Sequence, residues 1–225
     1  MRKFFRYGGN DISKIKKLTL STNFSSIPRE IGYLKTLEEF SATYHNLTEL
    51  PKEFSSLKNL KRLDLSNNNL STFHEEIYSL TNLQTLNLRN NKLETMTKDI
   101  GNLTNLERLD LSNNNLTELP EEIGNLDKLK YLNLDSNNLT KLPKEIGDLT
   151  NLRFLYLSDN QLTEIPKELS KLNNLKKLGL RNNEILSLPR ELSSLKNLEL
   201  IDLRSNPIRK IPPKMRKLPK LRIDW

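Results

Sequence analysis

The 225-residue chain contains no cysteine. Disulfide bridges, thiolate metal sites, cysteine nucleophiles and lipid attachment through cysteine are therefore excluded. Valine is also absent, alanine occurs once, and the only histidines are His45 and His74. Neither histidine stands at a recognisable spacing from a nucleophile, so the sequence shows no catalytic set. We expect neither an enzyme nor a cofactor.

Long hydrophobic runs are missing as well. No apolar run approaches the roughly 20 residues of a membrane-spanning helix. Residues 1–5 resemble the basic start of a signal peptide, but Arg6 and residues 8–11 follow where an apolar segment is required. The sequence predicts no membrane insertion. A cytoplasmic location, a missing export segment and another export route all remain open.

Negative charge is scarce at the two ends of the chain. The net charge is +8, with +5 in residues 1–17 and +7 in residues 204–225, which leaves −4 for the stretch between them. A solenoid that binds nucleic acid is expected to carry its basic residues along the binding face. We therefore interpret the basic ends as solubilising charge that protects the edges, and we expect no nucleic-acid partner.

Leucine, by contrast, is abundant and recurs at a fixed period of 23 residues. In the unit that starts at Leu106, apolar residues fill slots 1, 4, 6, 11, 14, 18 and 21, with Asn114 in slot 9 and Pro120 in slot 15. A period of this length indicates a solenoid, in which each unit buries one face against its neighbours. Nine units begin at Ile15, Leu37, Leu60, Leu83, Leu106, Leu129, Leu152, Leu175 and Leu198.

The register of the repeat is nearly complete. All seven apolar slots are filled by apolar residues in the eight units from the second to the ninth. The first unit is one residue short, His45 replaces asparagine in the second, and His74 and Thr97 replace proline in the third and fourth. We predict an N-terminal cap in residues 1–14, nine repeats in 15–218, and a C-terminal cap with the start of a tenth repeat in 219–225, where Trp225 covers the last coil. The alternative for residues 1–14 is a recruiting tail or the remnant of a missing domain.

The pattern within one unit predicts its local structure. Apolar residues alternate with polar ones over slots 3–7, which is typical of a strand with one buried face. Asparagine in slot 9 turns the chain, and its amide can satisfy backbone groups inside the coil. Proline in slot 15 suits the start of a short helical or 3₁₀ segment. The fold class expected is an α/β solenoid, a horseshoe with a parallel sheet on its concave face and helical segments on the convex face.

The motif L-x-x-L-x-L-x-x-N-x-L-x-x-L-P-x-x-I-x-x-L-x-N resembles the leucine-rich repeat family in its 23-residue form. Units such as LPKEIGDLTNL, residues 142–152, look most like leptospiral proteins of this family and are also similar to intracellular Ras-associated scaffolds. The resemblance implies recognition of a protein partner on the concave face, without catalysis. It is compatible with a host-interaction or scaffold role, and it identifies no particular partner.

Residues that the repeat does not dictate form a candidate binding patch. Neighbouring strands lie about 4.8 Å apart, so Tyr131, Phe154 and Tyr156 are expected to touch. Gly179 is expected to leave a notch beside them, with arginines at its edge. Exposed aromatic residues with arginine are typical of binding hot spots. The predicted patch consists of Tyr131, Asp135, Phe154, Tyr156, Asp159, Lys177, Arg181, Leu200 and Arg204.

Two alternatives remain at this point. A few apolar residues on a large surface can lack any function. The chain could also be a structural protein that assembles through the open ends of its solenoid, although we expect a monomer. Six N-x-Ser/Thr sequons and carboxylate pairs such as Glu121 and Glu122 follow from the repeat and are assigned no role.

Overall fold

The computed structural model describes residues 14–21 and 24–225. Most of the predicted N-terminal cap lies outside the described residues. The described residues form one parallel sheet of ten short strands, which follow one another in chain order. The strands are β1 (Lys17–Thr19), β2 (Glu39–Ser41), β3 (Arg62–Asp64), β4 (Thr85–Asn87), β5 (Arg108–Asp110), β6 (Tyr131–Asn133), β7 (Phe154–Tyr156), β8 (Lys177–Gly179), β9 (Leu200–Asp202) and β10 (Arg222–Asp224).

Each strand has the alternation that the sequence predicts. The central residue points into the coil, as Leu132 does in β6, and the residues on either side point outward. Leu132 stands opposite Leu109 in β5 and Leu155 in β7, so equal slots face each other. This register stacks identical leucines over one another along the solenoid.

Short helical turns lie between the strands. Glu75–Tyr78 is an α-helical turn, and it follows His74 instead of proline. In the unit that starts at Leu106, Pro120 precedes its turn in an extended conformation, and Ile123 of that turn is fully buried. The 3₁₀ turns are Arg29–Tyr33, Lys52–Ser56, Lys98–Asn102, Glu121–Asn125, Lys144–Asp148, Lys167–Lys171, Arg190–Ser194 and Met215–Lys217.

One continuous apolar core runs through the stack. Every apolar slot of the second to ninth units is buried except Ile208 and Leu218, which are half-buried. Apolar burial of this extent is the main force that holds adjacent coils together, because each leucine withdrawn from water contributes about 1.5–3 kcal/mol. The predicted solenoid of parallel strands with short helical turns is confirmed.

The asparagines of slot 9 form a buried ladder. The Asn137 Nδ2 group donates to the carbonyl oxygens of Leu111 and Leu134, both at 3.0 Å. Its Oδ1 accepts a 3.0 Å hydrogen bond from the backbone amide of Leu116. Each side chain therefore joins its own coil to the preceding one. The backbone groups that the turn leaves unpaired are satisfied in this way.

His45 takes the place of asparagine in the second unit. Its Nδ1 accepts a hydrogen bond from the Phe24 amide at 3.2 Å, and its Nε2 lies 3.1 Å from the Leu20 carbonyl oxygen. A nitrogen that accepts from an amide carries no proton, whereas one that donates to a carbonyl must carry one. The neutral Nε2–H form of His45 thus reproduces the donor and acceptor of the ladder.

A second asparagine ladder lies on the helical side of the coil. Asn82 donates through Nδ2 to the Lys58 carbonyl oxygen, 24 residues earlier, at 2.8 Å. The ladder is interrupted at Lys128, which donates to Asn105 Oδ1 instead. The members of the ladder are Asn59, Asn82, Asn105, Asn151, Asn174 and Asn197.

The C-terminal segment adds one more strand to the sheet. In β10, Arg222 pairs with Leu200 of β9, and Leu221 and Ile223 pack half-buried against the core. Trp225 is 57% exposed, and the Arg216 guanidinium carbon lies 5.3 Å from its ring centroid. That residues 219–225 act as a cap stays a prediction.

Candidate functional site

The strand face is the surface formed by three outward side chains of each coil. They are the first and last residues of the strand and the residue two positions beyond the strand's end. In β3 and β4 these side chains are polar: Arg62, Asp64, Thr85 and Asn87. Lys17 and Glu39 form an ion pair at 3.0 Å near the start of this face, and Arg62 pairs with the same Glu39. The beginning of the strand face is thus an ordinary hydrated surface whose charges largely neutralise one another.

An aromatic cluster interrupts this polar surface at β6 and β7. It consists of Tyr131, Phe154 and Tyr156, all half-buried. The ring centroid of Tyr131 lies 6.4 Å from that of Phe154 and 5.6 Å from that of Tyr156, with tilted planes in both pairs. These separations fall within the range of favourable aromatic pairs. Residues 23 and 25 positions apart in the chain therefore form one apolar surface.

Arg108 of β5 closes one side of the aromatic cluster. Its guanidinium carbon lies 3.5 Å from the centroid of the Tyr131 ring. One of its nitrogens is 3.6 Å from the Asp110 carboxylate, which is itself buried and accepts hydrogen bonds from Ser112. Arg108 is absent from the predicted patch. Its position directly opposite Tyr131 in the register was the available signal.

Gly179 of β8 lies directly beside the aromatic cluster. A Cβ atom at this position would come within 3.3 Å of the Tyr156 ring and 3.2 Å of Ser158 Oγ. The Tyr156 ring therefore leans over the glycine and occupies part of the notch that the sequence predicts. Beyond the ring, β8 presents no outward side chain between Lys177 and Arg181.

Asp135 lies half-buried at the end of β6. Its Oδ1 accepts a 2.6 Å hydrogen bond from the backbone amide of Ser158 in the next coil. Burial raises the pKa of Asp135 to about 6, although the hydrogen bonds from Ser158 oppose this effect. Asp159 and Asp110 raise the pKa further through space. The surroundings of Asp135 thus destabilise the ionised form of its carboxyl group.

Replacing Asp135 with asparagine is expected to stabilise the fold at pH 7.5 and not at pH 4. Because the folded-state pKa is above the usual value, the folded protein holds this proton more tightly, and stability falls as pH rises from about 4 to about 6. Removing the charge should recover on the order of 1 kcal/mol after allowance for the exposed part of the side chain. Denaturant unfolding at both pH values measures the difference.

The exposed Asp127→Asn variant removes the same formal charge and serves as the control. An equal gain for Asp135→Asn at pH 7.5 and pH 4 would contradict the assignment.

The cations of the predicted patch differ in their pairing. Arg204 forks onto Asp202, with Nε to Oδ1 at 2.9 Å and Nη2 to Oδ2 at 2.6 Å. This contact holds the pKa of Asp202 below its usual range. Lys177 and Arg181 are exposed, and neither forms an ion pair with a described residue. Arg181 acts on Asp202 through space.

The remaining predicted residues lie at the margin of the aromatic cluster. Leu200 is half-buried in β9, opposite Lys177. Asp159 has a φ angle of 56° and accepts a 2.8 Å hydrogen bond from Asn182 Nδ2, which fixes it at the turn after β7. The structure thus brings Tyr131, Phe154, Tyr156 and Asp135 together, and the remaining five residues follow on the side of β8 and β9.

The described part of the chain offers little for other kinds of site. It contains no group of three or more histidine, aspartate or glutamate residues placed to hold a metal ion. None of its helices has the length and apolar character needed to cross a membrane.

Comparison with protein families gives matches along nearly the whole chain. The model described as a leucine-rich repeat region matches residues 10–115. The model described as leucine rich repeat matches residues 104–162, 150–208 and 173–223. A comparison with curated proteins gives no significant match.

Solved structures similar to this chain come from bacteria and plants. A leucine-rich repeat protein of Leptospira interrogans is 43% identical, with a TM-score of 0.88 over 93% of this chain and 54% of its own. The ectodomain of the Arabidopsis thaliana receptor kinase GASSHO1/SCHENGEN3 is 32% identical, with a TM-score of 0.86 over 94% of this chain and 27% of its own. An internalin of Listeria monocytogenes is 24% identical, with a TM-score of 0.82 over 95% of this chain and 61% of its own.

The chain thus spans about half of the leptospiral protein and about a quarter of the plant ectodomain. The internalin shares the fold. The family matches, the 43% identity and the ladder of slot 9 asparagines agree. The chain belongs to the leucine-rich repeat family.

Proposed function

We propose that the chain is a protein-binding module that recognises its partner through the strand face from β6 to β9. The β6–β9 patch denotes this surface and comprises the nine residues of the predicted patch. The observation that carries the proposal is the aromatic cluster, which places three rings in contact on an otherwise polar face. Rigid aromatic side chains supply large contact areas at low entropic cost, which is why they dominate binding hot spots.

The relatives support binding without catalysis. Leucine-rich repeat proteins are typically scaffolds that bind other proteins, and the plant ectodomain was solved in complex with Casparian strip integrity factor 2. Similarity to a protein of Leptospira interrogans favours a bacterial setting for this chain. A host-interaction or scaffold role is part of the proposal. Because those proteins are longer, their complete activities are not transferred to this chain.

The aromatic cluster also contributes little to the stability of the fold. None of its three side chains fills an apolar slot of the core, so the stack does not depend on them for its packing. A half-buried apolar surface that contributes little to folding is a feature expected of an interaction site. This distinction makes the proposal testable by substitution.

The double substitution of Tyr156→Ala with Arg181→Ala is expected to weaken binding to the partner at least tenfold and to leave the melting temperature nearly unchanged. Loss of the tyrosine ring removes apolar contact, and loss of the arginine side chain removes a cation without an ion-pair partner. Affinity capture with the full chain as bait, followed by identification of retained proteins and titration of the purified partner, provides the measurement.

The matched control is Thr85→Ala with Arg89→Ala on the polar part of the strand face, which should retain the partner. A partner lost with the control and kept with the patch variant would place recognition elsewhere. If only the chain itself is captured, and light scattering shows oligomers, self-assembly replaces partner binding as the function.

A further inference from the structure

Ion pairing leaves an uneven pattern of charge on the strand face between β5 and β10. Arg108 is paired with Asp110, Arg204 with Asp202, and Arg222 with Asp224. Within the described residues, four charges of the β6–β9 patch form no ion pair. They are Asp135, Asp159, Lys177 and Arg181, of which Asp159 accepts a hydrogen bond from Asn182.

The half-buried carboxylate lies at one side of the aromatic cluster. Asp135 follows β6, and it raises the pKa of Tyr156 through space, in addition to the larger effect of burial on that hydroxyl. One of its oxygens accepts a hydrogen bond from the Ser158 amide, and no cation among the described residues forms an ion pair with it. Charge of one sign in a half-buried setting is stabilised most by an opposite charge brought to it.

The unpaired cations lie at the other side. Lys177 and Arg181 are exposed on either side of Gly179, which has no side chain and lies under the Tyr156 ring. Arg204 of the next coil cannot compete for the same ligand without giving up its two bonds to Asp202. The positive side of the patch is therefore free to receive a carboxylate.

We propose that the partner presents a short segment with one basic and one acidic side chain. The partner's basic side chain forms an ion pair with Asp135, and its acidic side chain forms ion pairs with Arg181 and Lys177. An apolar side chain of the segment lies between them against Tyr156. This inference rests on the proposed function and assigns the chemistry of the partner at the same surface.

The repeat sets the spacing of the two charges. Asp135 and Arg181 occupy the same slot in units separated by one coil, so two strand spacings of about 4.8 Å place their backbones about 10 Å apart. A peptide that crosses the strands covers this distance in about three residues when extended and in about seven when helical. The expected motif is a Lys or Arg and an Asp or Glu at one of these two spacings.

A displayed library of random 12-residue peptides, panned on the full chain, tests the motif. Enriched peptides should carry a base and an acid at the expected spacing. A synthetic copy of the leading peptide should bind at least tenfold more weakly to Asp135→Asn and to Arg181→Gln. The control Arg89→Gln, on the polar part of the face, should leave its affinity unchanged.

Charge reversal provides the stronger test. The Lys177→Glu and Arg181→Glu double variant should reject the leading peptide and bind a version whose acid is replaced with lysine. Melting temperatures confirm that each variant is folded.

Failure of the inference and failure of the proposed function give different results. Peptides that bind more weakly to Tyr156→Ala but bind Asp135→Asn and Arg181→Gln unchanged would overturn the charge pattern. The β6–β9 patch would remain the site. A library that yields no peptide sensitive to Tyr156→Ala would overturn the site and the inference together.

Discussion

Replacing Asn137 with alanine is expected to lower the free energy of unfolding by about 1–3 kcal/mol. The side chain is 6% exposed and donates to the carbonyl oxygens of Leu111 and Leu134 while it accepts from the amide of Leu116. Alanine leaves the Leu116 amide buried without its partner, whereas the Leu111 and Leu134 carbonyls each keep one hydrogen bond, from Asn114 and Asn160. One unsatisfied buried group costs about 1–3 kcal/mol before water enters the gap. Chemical denaturation followed by circular dichroism measures the loss.

Two controls separate the ladder from a general effect of truncation. Asn206 makes the corresponding bonds to Leu180, Leu203 and Ile185 but is half-buried, so Asn206→Ala should cost less. Asn138 is exposed, and Asn138→Ala should cost almost nothing. Equal losses at Asn137 and Asn138 would refute the ladder argument.

Substitution of Gly147 with alanine is expected to destabilise the protein by about 2 kcal/mol. Gly147 lies in the turn Lys144–Asp148, where an added Cβ would stand 2.4 Å from the Glu168 carbonyl oxygen and 2.8 Å from its carbonyl carbon. These are backbone atoms of the next coil, so the two turns must move apart to admit a methyl group. That separation strains the register of the strands on the opposite side.

Ser170 provides the matched control for Gly147, since it occupies the same slot in the following unit and already carries a Cβ. Ser170→Ala keeps that atom in place and should change the denaturation midpoint little. A Gly147→Ala variant as stable as the parent would show that the helical turns tolerate a wider spacing. Such a result would remove close approach as the reason for glycine in this slot.

The fold could be derived from the sequence because the burial of each slot repeats every 23 residues. Leu132 is buried in the same way as Leu109 and Leu155, so one interpretation of a slot holds for every coil. The same regularity predicts that Tyr131 and Phe154 stand side by side, as their pairing confirms. Even the replacement of asparagine by His45 keeps the pattern, because its ring offers one donor and one acceptor.

The pairing of charges could not be derived in the same way. Arg204 and Arg181 occupy equal slots, yet Arg204 binds Asp202 of its own coil while Arg181 forms no ion pair with a described residue. The difference arises because β8 has Gly179 where β9 has Asp202. Exposed ion pairs differ in free energy by about 1 kcal/mol or less, so neighbouring side chains and rotamers decide between them.

By itself the sequence determined the solenoid, the inward and outward faces of each strand, and the neighbours of each outward residue, since these follow from a 23-residue period and a buried core. The tertiary structure alone decided that Arg108 covers Tyr131, that Tyr156 leans over Gly179, and that Asp135 is buried enough to raise its pKa to about 6. The physical reason is one of scale. Burial of leucines contributes enough free energy to dictate the backbone, whereas side chains on the surface choose among arrangements that differ by about 1 kcal/mol and depend on atoms brought together only by folding.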